Sequence, residues 1–222
     1  MAGLKDFVQD FNVFELSPIG DWVYSWIGIK TRDEPISAER YLKYAESDLL
    51  DGGDNRNLIN ALTNAKRALH LRMEDMCIGF GFDNWSDHRS FPKMVEYLSR
   101  IGVTAPRILN NLNRLRNQVE HDYLIPSRSE VETFIDVTVL FLASTQRWIS
   151  RLPCDIEMHQ DIKTDKGSFV LESIRLSWEM GVVSLRFAEL NSSFVSKRET
   201  LEFKCPAEGY FFCSRLALEN DW

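Results

Sequence analysis

Just after Pro153 the hydrophobic period of this chain changes from helical to two, and that switch constrains its fold more than any other feature. Upstream, apolar residues recur every three or four positions. Ser37 is placed to cap a helix through Leu50 that carries Tyr41, Leu42, Tyr44, Ala45 and Leu49. A second helix is expected from about Asn57 to Ile78, on the spacing of Leu58, Leu62, Ala65, Leu69, Met73 and Met76. A short third follows from about Pro92 to Ile101, with Gly102 suited to the left-handed C-terminal position. Thr104 and Pro106 open a fourth helix, to about Tyr123, and Ser129-Glu130-Val131-Glu132 reads as a capping box for a fifth, to about Arg151.

Downstream, Ser168–Trp178 alternates, with a change of parity at Ser173–Ile174 that predicts a bulge. Gly181–Leu190, Thr200–Cys205 and Gly209–Leu218 read as further strands, and Asp165-Lys166-Gly167 and Met180-Gly181 as turns. The expected fold class is therefore α+β. An aromatic-rich segment over 1–34 packs on a helical bundle over 35–151, and a small antiparallel β unit covers 154–222. Asp21–Lys30 is left as either a short strand or a helix.

Composition narrows the function. A net charge of −7 argues against a broad, non-specific coat on nucleic acid, while leaving room for a local basic cleft. No run approaches the roughly 18 apolar residues needed to span a bilayer. The first residues lack the basic-then-apolar order of a signal peptide. Cys77, Cys154, Cys205 and Cys213 show no zinc spacing and suit reduced thiols, so a cytoplasmic protein is expected. Neither a metal nor a cofactor is implied.

Between Ser99 and Val119 the sign of the charge reverses: Arg100, Arg107, Arg114 and Arg116 occur without an acidic residue. On a wheel of about 100° per residue, Ile108, Leu109, Leu112, Leu115 and Val119 form the core face of the fourth helix. Asn110, Arg114, Asn117 and His121 lie opposite, flanked by Asn113, and Arg116 sits at the border. Arginine offers a planar fork of donors to a phosphate. Histidine can exchange a proton with a hydroxyl or a leaving oxygen near neutral pH. Attack of a 2′-hydroxyl on the adjacent RNA phosphodiester needs only such groups. A structural reading stays open beside this one: an Arg116–Glu120 surface ion pair, Asn117 against a loop, His121 at the last turn of its helix, and Tyr123 in the core.

Taken together, Arg116-Asn117-Gln118-Val119-Glu120-His121-Asp122-Tyr123 resembles the signature of the HEPN superfamily, in the Arg-Asn-x-x-x-His-x-Tyr form typical of toxin-like members paired with minimal nucleotidyltransferases. The resemblance covers about residues 36–151. It implies an all-helical, dimerising domain in which Arg116, Asn117 and His121 of two chains share a cleft. It also implies a metal-independent endoribonuclease of toxin–antitoxin or antiviral-defence type. Arg116, Asn117 and His121 would be catalytic, with Asn110, Asn113 and Arg114 binding substrate. Tyr123 would be a modification target, and the partners would be RNA, a second copy, and an antitoxin or nucleotidyltransferase. The alternative is a non-catalytic HEPN-like dimerisation or binding module whose β unit recognises a protein or ligand.

Two further sets are weighed against bland readings. Lys66, Arg67 and Arg72 line an RNA path or form a solvated face. Trp148, Trp178, Phe187, Phe203, Tyr210, Phe211 and Phe212 stack bases, or fill the core of the β unit or its contact with the bundle.

Overall fold

A computed structural model describes residues 4–16, 21–29, 35–103, 106–165, 167–191 and 194–219. Helix α1 (Leu4–Asp10) and strand β1 (Val23–Ile27) precede five helices: α2 (Ala38–Asp51), α3 (Asn55–Gly79), α4 (Phe91–Ile101), α5 (Pro106–His121) and α6 (Arg128–Ser150). Strands β2 (Leu152–Thr164), β3 (Gly167–Ser177), β4 (Val182–Asn191) and β5 (Phe194–Lys204) follow, and helix α7 (Glu208–Glu219) completes the described chain. The fold is mixed α+β, with an antiparallel sheet in the order β1-β2-β3-β4-β5.

Local chemistry sets the helix ends. The Ser37 hydroxyl accepts from the Arg40 amide, and the Asp54 carboxylate accepts from the Asn57 amide at 2.8 Å. Pro92 sits in the first turn of α4, and Gly102 closes it at φ 93°. The capping box of α6 is built by Ser127 and Glu130, two residues earlier than Ser129 and Glu132: the Ser127 hydroxyl takes the Glu130 amide while Glu130 reaches back to the Ser127 amide. Pro126 ends the preceding segment soon enough for Ser127 to take the cap. The expected Thr104 cap lies outside the described residues.

Helix α3 is the spine of the helical part, packed against α2 and α6, with α4 against its far end and α5 against α4. Leu58, Leu62, Ala65, Leu69, Met73 and Met76 are all buried on it. Arg72 is buried there too, and its guanidinium donates to the Leu142 carbonyl (3.1 Å), the Thr145 hydroxyl (3.2 Å) and Gln146 (3.0 Å) of α6. It also pairs with Glu39 of α2. Both terminal nitrogens of the guanidinium are engaged inside the bundle, so Arg72 is a structural cross-brace and drops out of any RNA path.

One expected strand is a helix, one strand had not been expected, and the first segment meets the sheet. Gly209–Leu218 is helix, not strand: Tyr210, Phe211, Cys213, Leu216, Ala217 and Leu218 are all buried, wedged between α4 and the sheet. A helix buried on nearly every side has no polar stripe to betray its period. Leu152–Thr164 forms a long strand that its mixed pattern concealed. The first segment packs chiefly on the sheet rather than on the bundle. Phe7 of α1 stacks on Phe169 at 3.9 Å, and β1 pairs with β2, while Ile29 reaches the helices through a hydrogen bond to the Ile149 carbonyl. The expected bulge falls between Leu171 and Ser173 in the β3–β4 pairing.

One hydrophobic cluster runs through helices and sheet alike. Trp148, Trp178, Phe187, Tyr210 and Phe211 are buried in it and Phe203 and Phe212 pack against it, which removes them as base-stacking platforms. No helix among the described residues is long and apolar enough to cross a membrane.

Candidate functional site

Helix α5 distributes the sequence-predicted residues over three directions. Leu109 and Leu112 are buried against the bundle, and Leu115 and Val119 pack partly against it. Ile108, expected on the core face, is 43% exposed. Asn110 and Arg114 are exposed and do not line the cleft that Asn113 and Arg116 enter. Asn113 and Arg116 turn the other way, into a cleft of about 510 Å³.

Arg116 is half-buried, and its Nη1 donates to the Asn117 side-chain oxygen at 3.0 Å. Asn117 thus holds the guanidinium plane at the cleft wall. The side chains of Glu120 and His121 lie outside the described residues, and with them the expected Arg116–His121 pairing and the Arg116–Glu120 ion pair. Tyr123 is 87% exposed, which removes its reading as a core residue. It takes a left-handed backbone conformation, φ 55°, just past the end of α5, and the Leu124 amide beyond it donates back to the Gln118 carbonyl.

The cleft opposite Arg116 is built mainly by α3. Lys66, Arg67 and His70 lie within one turn and share a face. The Arg67 guanidinium lies over the Tyr41 ring of α2, 5.6 Å from its centroid. The His70 ring stacks on Phe91, at the start of α4, with centroids 6.3 Å apart and an interplanar angle of 15°. Glu74, one turn on, places a carboxylate oxygen 3.5 Å from His70 Nε2. Arg89 completes the cationic lining, although Asp83 already holds it through contacts of 2.6–3.0 Å. The described lining contains four cations, one imidazole and no carboxylate.

In a chain of charge −7 the cleft gathers cationic side chains, of which Arg89 is compensated by Asp83. Its donors suit an oxyanion: Arg116 and Arg67 offer planar forks and Lys66 a point charge. Sequence reasoning had weighed Lys66 and Arg67 but missed His70, Arg89, Tyr41 and Phe91 as neighbours of Arg116. The available signal was Lys66-Arg67-x-x-His70 on one helical face. What it lacked was the knowledge that α3 and α5 converge. In comparisons with known proteins, no family model, no curated protein and no solved structure matches this chain.

Proposed function

We propose that the chain is a metal-independent endoribonuclease acting through 2′-hydroxyl attack. The observation that carries this reading is the cleft itself: Arg116 and Asn113 of α5 face Lys66, Arg67 and His70 of α3 across a cavity whose described lining bears no carboxylate. The resemblance of Arg116-Asn117 and His121-x-Tyr123 to the HEPN signature points the same way.

In this reading Arg116 neutralises the scissile phosphate, where charge grows as the 2′-oxygen attacks. Asn117 holds Arg116 in place. His121 exchanges the proton between the attacking hydroxyl and the leaving 5′-oxygen. The products are a 2′,3′-cyclic phosphate and a 5′-hydroxyl. The reading also takes the active form to be a homodimer in which two such sets meet. Support comes from the exposed apolar run of Tyr123, Leu124 and Ile125 just past α5, since contiguous exposed apolar surface marks an interaction site.

The test is cleavage of a labelled single-stranded RNA by purified protein, its His121→Ala variant, and a substrate with 2′-deoxy sugars. The parent protein cuts the RNA and leaves cyclic-phosphate ends, the variant keeps its melting temperature but loses cleavage, and the deoxy substrate stays intact. Equal rates for parent and His121→Ala protein sink the proposal.

The Arg116–Asn117 hydrogen bond favours a second reading, because a motif occupied by its own side chains suits a non-catalytic binding module. That module cuts no RNA under any condition.

A further inference from the structure

The cleft holds more than a phosphate needs. Charge-assisted donors alone suffice to bind an oxyanion. Here they share the cavity with a wall of Tyr41, Phe91, Leu69 and Phe134. Leu69 and Phe134 are buried at its floor, and Tyr41 and Phe91 are half-buried at its sides. A flat heteroaromatic ring uses such a wall, because aromatic side chains and guanidinium planes offer it faces to stack on. The volume falls within the roughly 300–1,000 Å³ typical of small-molecule sites, enough for one nucleotide and too little for a duplex. Cations and aromatics are also not interleaved at random. Arg67 already lies over Tyr41, and His70 is already parallel to Phe91, so both polar planes are oriented before a ligand arrives. Preorganisation of this kind lowers the entropic cost of binding.

We propose that this cleft is a nucleotide-recognition pocket. It takes one nucleotide of a single-stranded RNA, with the phosphate against Lys66, Arg67 and Arg116 and the base against Tyr41, Phe91 and His70. Arg89 adds little charge, since Asp83 compensates it. That the nucleotide belongs to an RNA strand rests on the ribonuclease reading; the pocket's taste for a base joined to a phosphate does not.

The test titrates the full chain by calorimetry with AMP, GMP, CMP, UMP and inorganic phosphate as separate probes. At least one mononucleotide binds about tenfold more tightly than phosphate, the advantage expected of a single stacked base. Arg67→Ala weakens nucleotide and phosphate alike, by about tenfold, as loss of a charge-assisted contact. Tyr41→Ala brings the nucleotide close to the phosphate level and leaves phosphate binding unchanged. Should Tyr41→Ala fail to fold, Phe91→Leu, which keeps an apolar side chain but removes the ring, makes the same comparison. Mononucleotides that bind no better than phosphate, or variants that bind them as the parent does, overturn the pocket. Because no probe is cleaved, the two readings fail separately. Nucleotide binding that depends on Arg67, in a protein that cuts no RNA, upholds the pocket and sinks the nuclease. RNA cleavage without mononucleotide binding sinks the pocket and leaves the nuclease.

Discussion

Tyr97 and Tyr210 converge on one acceptor: their hydroxyls donate to the Phe80 carbonyl at 2.5 and 3.2 Å, and lie 3.5 Å from each other. Tyr97 belongs to α4 and Tyr210 to α7, so the end of α3 ties the helical part to the last helix. Removing either hydroxyl alone leaves the carbonyl one donor, and Tyr97→Phe or Tyr210→Phe costs about 1 kcal/mol. The double variant strips a buried carbonyl of both tyrosine donors and costs more than the two losses added, by about 1 kcal/mol. Urea denaturation of the three variants measures the difference.

Arg72 is 2% exposed, and four acceptors converge on it. Arg72→Met keeps the stem but abandons the Glu39 carboxylate, Gln146 and the Thr145 hydroxyl. We expect a loss of about 3 kcal/mol, the scale of a broken interior pair. Glu39→Gln, on the half-exposed side, costs less than about 1 kcal/mol. Thermal melts of the two variants separate a brace from a surface pair, and equal small losses would contradict the buried role.

Two glycines with positive φ differ sharply in what surrounds them. A Cβ at Gly81 (φ 78°) would meet the Trp178 carbonyl oxygen at 2.0 Å, whereas one at Gly102 (φ 93°) would meet the flexible Arg215 side chain at 2.9 Å. Both substitutions by alanine carry the backbone strain, about 1 kcal/mol or more. Gly81→Ala must also push the turn after β3 away from α3, and we expect it to be the more damaging by at least about 1 kcal/mol. Comparison of their melting temperatures is decisive.

Alkali should loosen this fold. Burial pushes the Tyr210 hydroxyl up to about 12, the Cys213 thiol to about 12 and the Cys205 thiol to about 11, against ordinary values of 10.0 for tyrosine and 9.0 for cysteine. Burial also raises Tyr97 and Cys77. Each group stays neutral when folded at a pH where the unfolded chain ionises. The stability it contributes is therefore whole below about pH 9 and is lost as the pH climbs toward 12. Urea midpoints measured across that range should fall steadily, and a flat profile would show that these groups titrate freely in the folded protein.

Much of the helical part was legible from the sequence, because one-sided helices advertise themselves. The spacing of Leu58, Leu62, Leu69 and Met76 marks α3, and Gly102 marks the end of α4. Helix α7 was not legible. Its Tyr210-Phe211-Phe212 run has strand-like residues and its burial is nearly complete, so no period could show. The site divides along the same line. Arg116, Asn117 and His121 form a short motif within one helix and can be read off a wheel. Tyr41, His70 and Phe91, which line the cleft with Arg116, come from three other elements, and only the packing of α3 against α2 and α4 brings them there.

The placement of β1 has a practical cost for anyone dissecting the protein. This ribbon is translated before all of α2–α6, yet its hydrogen-bonding partner, β2, emerges only after them. A fragment ending at Ser150 would carry Val23, Trp26 and Ile27 on an unmatched strand ready to zip onto a second molecule. A fragment starting at Leu152 would bare the matching border of β2. Halves expressed separately are therefore a recipe for clumping, whereas co-expressed halves have complementary edges through which to rejoin.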